Sequence, residues 1–327
     1  MNRRSVLAAV PLTIAAAAGV RVGLGEAQAA ESFASYVAGL GAQARAQGIP
    51  AGIAAAALGG LSPDPKVIHF DQHQPEFTLT WAQYRARTVT ATRIATGRAK
   101  AAAERSVLAS VRARFGVSAE PIMGIWGGET DFGAVQGDFQ VINSLVTLAW
   151  YRNSRYFAHE AIAAMRIAAR GQRPLNGLLG SWAGAMGQPQ FMPSVYLTTA
   201  VDFAGTGRPN IWTNVPDTLA SIGNYLHKAG WIPGLPSSEP VLIPPGFNLA
   251  LAGRARRLPV SRWVAMGVRR FPGAPQVAMT TEASVLLPDG PRGEAFLVYA
   301  NFEAIRRYNP SDLYALAIGT LGHAIIA

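Results

Sequence analysis

From Glu31 to about Gln172 apolar and small residues recur at helical spacing, as in "FASYVAGLGAQARAQ" and "HEAIAAMRIAARG". A repeat of about 3.6 residues sustained that long builds helices and leaves no alternating pattern from which to make a sheet. "PDTLASIGNYLHKAGW", residues 216–231, continues it: Leu219, Ile222 and Leu226 share a face, Asp217 is placed to cap the start and Gly230 to end the helix. Between Ile232 and Ala300 proline and glycine punctuate short β-prone runs, "PVLIPP", "ASVLLP" and "AFLVYA". "SDLYALAIGTLGHAIIA" then returns to helix, with Ser311 as cap and Leu313, Ala317 and Leu321 in one stripe. The fold class expected is mainly α (α+β): a helical region over residues 30–231, a small β-rich subdomain over 232–301, and a C-terminal helix over 302–327 that packs back on the helical body. With 50% hydrophobic and 15% charged residues, 327 residues suffice for a sizeable core, and global disorder is excluded.

Ahead of the helical region, Arg3 and Arg4 precede an uncharged run from Ser5 to Val20 and then the small-residue pattern Ala27-Gln28-Ala29. The run is shorter than the roughly 20 apolar residues that a bilayer-spanning helix needs. Residues 1–29 therefore read as a signal peptide, with an uncleaved anchor as the rival reading and the twin-arginine route open beside the general one. The expectation is an exported, periplasmic protein, soluble once the signal is removed, without stable membrane insertion and monomeric. No cysteine is present, so no disulfide forms. The formal charge is +10; Arg3, Arg4 and Arg21 less Glu26 account for +2 of it, leaving about +8 on the mature chain. That balance suits an anionic partner, and export makes an acidic wall polymer or anionic surface a better fit than nucleic acid, which is not expected.

Four stretches could carry chemistry. In "GIWGGETDFG", residues 124–133, a helix over Glu120 to Thr130 would put Ile122, Ile125, Trp126 and Glu129 on one face, so that the carboxylate continues an apolar stripe. A carboxyl held against apolar atoms resists ionising and can stay a proton donor near neutral pH. The other reading is a partly exposed Glu near a helix end with Gly133 as terminator. Gly124, Gly127 and Gly128 weaken a helix by about 1 kcal/mol each relative to Ala, which close approach of another backbone or a ligand would offset. Asp131, two residues on, points away from Glu129 on a helix and reads as structural.

"GSWAGAMGQPQFMPSVY", residues 180–196, combines small residues that keep a surface open with Gln188, Gln190, Phe191, Met192 and Tyr196, the amides and flat faces a sugar groove needs. It reads equally as a tight helix contact at "GSWAGAMG" followed by a helix from Pro193. "DFAGTGRPNIWTNVPD", residues 202–217, begins and ends in Asp, but the alternating positions after Asp202 are Ala204, Thr206 and Arg208, a poor ligand set for calcium. In "RRYNPSDLYALA", residues 306–317, Tyr308, Asn309 and Tyr314 could line a groove or serve as core residues. Arg254, Arg256, Arg257, Arg262, Arg269 and Arg270 form a basic cluster of the kind usually found on a solvated face. The five histidines form no H-E-x-x-H, and there is no Walker A loop, nucleophile elbow or dinucleotide fingerprint, so carboxylate acid–base chemistry is what remains.

Together these stretches resemble the membrane-bound lytic murein transglycosylase B family: a "G-[IV]-x-G-x-E-T-x-x-G" segment, then "G-S-[FWY]-A-G-A-M-G-x-x-Q-F-M-P-S-x-Y", then a D-x-x-G-x-G loop, then "Y-N-x-S-x-x-Y-A". The similarity runs in order from about Gln74, in "QPEFTLTWAQYR", to the C-terminus. It implies a lysozyme-like helical core with a helical N-terminal part and a small β-domain, acting on peptidoglycan glycan strands without a cofactor. The catalytic glutamate of the pattern falls on Glu129, and the substrate-binding positions on Tyr84, Arg155, Ser181, Gln190, Phe191, Tyr225, Tyr308, Asn309 and Tyr314. The implied reaction cleaves the β-1,4 bond between N-acetylmuramic acid and N-acetylglucosamine with one carboxyl as acid then base, leaving 1,6-anhydro ends, and the glycines around Glu129 then read as room for the strand. Asp202 and Asp217 are what is left of a calcium loop carried by some relatives, so no metal is expected. A non-catalytic wall-binding scaffold and a hydrolytic muramidase using Asp131 are the rival readings. A proton donor is superfluous in the first, and helical offset disfavours the second.

Overall fold

The computed structural model describes residues 31–73 and 79–327. The expected signal peptide and Gln74 lie outside the described residues. Helices dominate: α1 (Phe33–Ala46), α2 (Ala51–Leu58), α3 (Pro65–Gln72), α4 (Trp81–Thr88), α5 (Ala91–Ala103), α6 (Arg105–Phe115), α7 (Ala119–Thr130), α8 (Val141–Tyr151), α9 (Arg155–Ala169), α10 (Pro193–Thr199), α11 (Val215–Lys228), α12 (Val260–Ala265), α13 (Ala300–Tyr308) and α14 (Asp312–Ile326). The strands are short: β1 (Phe139–Gln140), β2 (Leu179–Gly180), β3 (Ser238–Leu242), β4 (Leu258–Pro259), β5 (Arg269–Arg270), β6 (Glu282–Leu286) and β7 (Ala295–Val298). The chain divides into two compact units, one of residues 31–73 with Glu129–Ser221, the other of residues 79–128 with Ile222–Ala327.

In the first unit α8, buried from Val141 to Ala149 except at Asn143, packs along α9, where Ala161, Ala163 and Ala164 are buried. Helix starts carry the expected chemistry: Asp64 Oδ1 accepts the Lys66 N–H at 2.8 Å ahead of Pro65, and the Asp64 N–H donates to the Thr147 hydroxyl at 3.1 Å. α10 has no capping side chain of its own. Glu160, buried in α9, supplies one from outside: its Oε2 accepts the Ser194 N–H at 2.8 Å and its Oε1 the Ser194 hydroxyl at 2.6 Å. A carboxylate at a helix N-terminus is favoured by the dipole as well as by the bonds.

The second unit holds an antiparallel sheet in the order β4-β6-β7-β3-β5. The runs "PVLIPP", "ASVLLP" and "AFLVYA" supply β3, β6 and β7, and β7 is buried along its whole length. This explains why it reads as a continuous apolar run rather than an alternating one. Val241, Val285 and Leu297 pack with Val260 and Trp263 into the core beneath the sheet. Glu239, buried on β3, accepts Arg270 Nε at 2.7 Å and Nη2 at 2.9 Å, and the Tyr299 hydroxyl at 2.6 Å. Burial, then the bond to Glu239, pushes the Tyr299 phenol far above its usual range.

α14 begins as expected, with the Ser311 hydroxyl accepting the Tyr314 N–H at 3.2 Å, and packs on α4, α5 and α13. The start of α11 departs from expectation. Asn214 caps it, its Oδ1 accepting the Asp217 N–H at 3.0 Å, while the Asp217 side chain turns back into the preceding loop.

Candidate active site

α7 ends one residue after Glu129 and is enclosed rather than two-faced. Every residue from Pro121 to Gly127 is buried, so the apolar stripe is one side of a helix buried nearly all round. Glu129 is 2% exposed, which removes the partly exposed alternative. The glycines also have a different role from the one expected. A Cβ on Gly124 would overlap the Ile318 carbonyl oxygen of α14, one on Gly128 would lie 2.6 Å from Ile318 Cδ1, and one on Gly322 would overlap the Glu120 carbonyl. Gly124 and Gly128 therefore make room for α14, not for a glycan strand.

Past Thr130 the backbone turns left-handed, with φ of 50° at Asp131, 60° at Phe132 and 86° at Gly133. Asp131 is thus outside the helix, and the helical offset that separated it from Glu129 does not apply. Thr130 ties this turn to the second motif. Its hydroxyl donates to the Gln188 carbonyl at 2.8 Å and accepts the Gly133 N–H at 3.1 Å. The Gln188 and Gln136 side-chain amides both donate to the Trp212 carbonyl at 3.1 Å. Gln190, itself at φ 52°, donates from Nε2 to the Gln136 carbonyl at 3.1 Å and the Gly187 carbonyl at 2.8 Å. Thr130 is the T of the "G-[IV]-x-G-x-E-T-x-x-G" pattern, which gives it no role, and Gln136 carries no recognisable sequence signal; their importance emerges only when the two loops meet.

The small residues of "GSWAGAMG" neither open a surface nor form a helix of their own, but they do let the chain pack tightly on a helix: a Cβ on Gly184 would run into Leu145 of α8. β2 and a tight loop occupy this stretch: the Ser181 N–H donates to the Ala185 carbonyl at 2.8 Å, the Ser181 hydroxyl accepts the Ala185 N–H at 3.1 Å, and Met186 pairs with Phe191 in both directions. Ser181, Gln190 and Phe191 are all buried. Pro193 does begin a helix, α10. Arg155 stands exposed at the first position of α9.

In the second unit the Tyr225 and Tyr308 rings are 4.6 Å apart and both side chains are half-buried, and the Tyr225 hydroxyl donates to the Arg307 carbonyl at 2.5 Å. Burial raises the Tyr225 phenol pKa, and Arg307 opposes the rise. Asn309 Oδ1 accepts the Ser311 N–H at 3.1 Å, and Tyr84 and Tyr314 are 4% and 1% exposed.

The loop between Asp202 and Asp217 does not fit a calcium ion. Asp217 Oδ1 accepts the Phe203 and Ala204 N–H groups at 2.8 and 2.9 Å and its Oδ2 the Asn210 N–H at 2.8 Å. Asp202 accepts the Thr206 and Gly207 N–H groups at 2.8 and 2.7 Å, and these bonds, Thr206 first, lower its pKa. Those bonds order the loop, and its alternating positions Ala204, Thr206 and Arg208 add no carboxylate and one cation, a poor donor set for calcium. Among the described residues no group of three or more His, Asp or Glu is arranged to hold a metal, and no helix is long and apolar enough to cross a membrane.

A family model described as a transglycosylase SLT domain matches residues 32–323. The chain belongs to that family. This SLT-domain protein is 34% identical over 257 residues to membrane-bound lytic murein transglycosylase B of Escherichia coli K12, covering 75% of this chain and 67% of that one. Its structure matches SltB3 from Pseudomonas aeruginosa in complex with NAG-NAM-pentapeptide at 41% identity and a TM-score of 0.86, over 90% of this chain and 80% of that one. It also matches the Escherichia coli lytic transglycosylase Slt35 in complex with calcium at 29% identity and a TM-score of 0.74, over 92% and 94%. The fold of this SLT-domain protein, helix-rich with a small antiparallel sheet, is thus the lysozyme-like fold of lytic transglycosylases.

Proposed function

We propose that the protein is a lytic transglycosylase of peptidoglycan, cleaving the β-1,4 bond between N-acetylmuramic acid and N-acetylglucosamine with Glu129 as the single acid and base. The observation that carries this reading is the position of Glu129: a carboxyl 2% exposed at the end of an enclosed helix, beside a loop pair that fixes its backbone. Burial disfavours the charged carboxylate and so favours a proton donor. Membership in the transglycosylase SLT family supports the reaction class, and the relative SltB3 has a structure in complex with NAG-anhNAM-pentapeptide.

In the reaction, Glu129 donates its proton to the bridging oxygen as the bond to C1 breaks, and the substrate's own 2-acetamido oxygen stabilises the cation left at C1. Glu129, now a carboxylate, takes the proton of the muramoyl 6-hydroxyl as that oxygen bonds to C1, closing a 1,6-anhydro ring and restoring the acid. No water is consumed. The remaining family positions, Tyr84, Arg155, Ser181, Gln190, Phe191, Tyr225, Tyr308, Asn309 and Tyr314, are proposed to hold the strand or to position the residues that do. Ser181, Phe191 and Tyr314 are buried and suit the second role, while half-buried Tyr225 and Tyr308 offer ring surface for the first. The reading extends to an exported enzyme working in the cell wall. Digestion of purified peptidoglycan, with product ends read by mass spectrometry, tests it. Anhydro ends are expected, whereas products one water heavier would make the enzyme a hydrolase.

A further inference from the structure

Within the second unit, the end of α13 and the turn at residues 253–257 surround a cavity of about 820 Å³ lined by Gly253, Arg254, Arg257, Arg306, Arg307 and Asp312 among others. A smaller chamber of about 210 Å³ shares Arg254, Arg257 and Glu303 with it and is walled partly by Ile232, Leu235 and Val298. Two of the arginines are neutralised inside the protein. Arg254 Nη1 lies 3.0 Å from Glu303 and its Nε 3.0 Å from Asp312, while Arg306 reaches Asp312 at 2.5 Å and Glu303 at 3.4 Å. This quartet carries no net charge and fixes one wall. The other two are not matched: among the described residues neither Arg257, which is exposed, nor Arg307, which gives one N–H to the Ala229 carbonyl at 2.6 Å, pairs with a carboxylate. Glu282 also lines the smaller chamber, so the two chambers together set four arginines against three carboxylates and keep a net positive charge of one.

The chemistry around that charge narrows the ligand. Glu282, which the quartet does not neutralise, repels a phosphate dianion more than a monoanion, and a guanidinium fork takes a carboxylate in two parallel bonds, as it also takes phosphate. The partly apolar chamber beside Arg257 suits a short alkyl side chain. A carboxylate with a small side chain is the end of a peptide. The cavity also adjoins the tyrosine pair through one residue, because Arg307 is part of its lining and accepts the Tyr225 hydroxyl at its carbonyl. We propose that this double cavity is a subsite for the C-terminal carboxylate of the peptide stem borne by the glycan strand, an inference that rests on the proposed function for its substrate class.

Calorimetric titration of the full chain with a muramoyl peptide monomer, and with the same compound as its C-terminal amide, tests the subsite without turnover. The free acid is expected to bind about tenfold more tightly than the amide, the worth of one charge-assisted contact. Arg257→Gln is expected to abolish that difference without changing affinity for the amide, and Arg257→Lys, which keeps the charge but loses the fork, to retain part of it. Equal affinities for acid and amide, including no binding of either, would overturn the proposal, as would a preference that survives Arg257→Gln. Inorganic phosphate displacing the peptide at lower concentration than acetate would assign the cavity to phosphate instead. Anhydro ends made by an enzyme indifferent to the carboxylate refute the subsite alone; hydrolysed ends with the preference intact refute the mechanism alone.

Discussion

Replacing Gly124 by alanine is expected to cost about 2 kcal/mol of stability, although alanine is the better helix former. The added Cβ overlaps the Ile318 carbonyl oxygen and comes within 3.1 Å of Ile318 Cγ2 and 3.2 Å of the Ile318 carbonyl carbon. Backbone cannot rotate away, so α7 and α14 must part. Gly322 sits against the Glu120 backbone in the same contact, and separation loosens both places at once. Overpacking of this kind costs about 1–3 kcal/mol, and lost packing along the parted helices takes it to the upper end. Helix propensity returns at most about 1 kcal/mol. Roughly 3 less 1 leaves about 2 kcal/mol, or a fall of several degrees in melting temperature at about 2–4 °C per kcal/mol. Gly128→Ala is the matched control, because its Cβ meets only Ile318 Cδ1, at 2.6 Å, the mobile end of a side chain. It is expected to stay within about 1 kcal/mol of the parent. Thermal melts, with urea midpoints at constant slope, compare the two. Equal shifts, or a stabilised Gly124→Ala, would refute the helix contact as the reason for these glycines and return them to the substrate.

Glu129→Gln is expected to lower peptidoglycan cleavage by at least about a thousandfold with melting behaviour unchanged; appreciable residual activity would falsify the single-acid mechanism. Asp217→Ala strips three backbone N–H groups of their acceptor and is expected to cost about 3 kcal/mol or more, so an unshifted melting temperature contradicts the pinned-loop reading. Tyr196 is pushed up to about 12, chiefly by burial and against the opposing pull of Arg173. With the folded value above the unfolded one of about 10, its contribution is complete below pH about 10 and disappears as pH rises through the folded value. Phenolate absorbance should show a tyrosine titrating at about pH 12, below the still higher Tyr299, that Tyr196→Phe removes, and loss of a normally titrating one instead would reject the shift.

Local signals were legible wherever one element's own chemistry decided the outcome. Ser311 caps α14, Pro193 opens α10, and the continuous apolar runs at 283–288 and 295–300 become the central strands β6 and β7. What stayed hidden depends on partners distant in sequence. Asp217 has the composition and position of an N-cap, but Asn214 takes that role because the loop from Phe203 to Asn210 offers Asp217 three N–H groups. The glycines near Glu129 signalled close approach correctly and left its object undetermined, since a helix nearly two hundred residues away supplies it. Among the arginines, a single basic cluster separates in space: Arg270 pairs with Glu239 and Arg254 with Glu303 and Asp312, while Arg257 pairs with none of the described carboxylates.

The backbone on either side of the candidate site shows why Glu129 is placed where it is. Asp131 and Phe132 hold φ of 50° and 60° and Gln190 holds 52°, values that cost a residue with a Cβ about 1–3 kcal/mol each. Such strain persists only where neighbouring bonds outweigh it, and both segments are bonded to each other rather than to solvent. Thr130 joins the first to the carbonyl of Gln188, and Gln190 joins the second to the carbonyl of Gln136. The two turns thus hold each other in conformations neither would keep alone. A helix that simply continued past Thr130 would carry the chain away from the second motif and release Glu129 from that support. On the proposed mechanism the carboxyl must serve two oxygens in succession, the bridging oxygen and then the 6-hydroxyl, from one position. Positional tolerance in such a step is small. The strained turn is then part of the catalytic apparatus, although neither Asp131 nor Phe132 is assigned a chemical step.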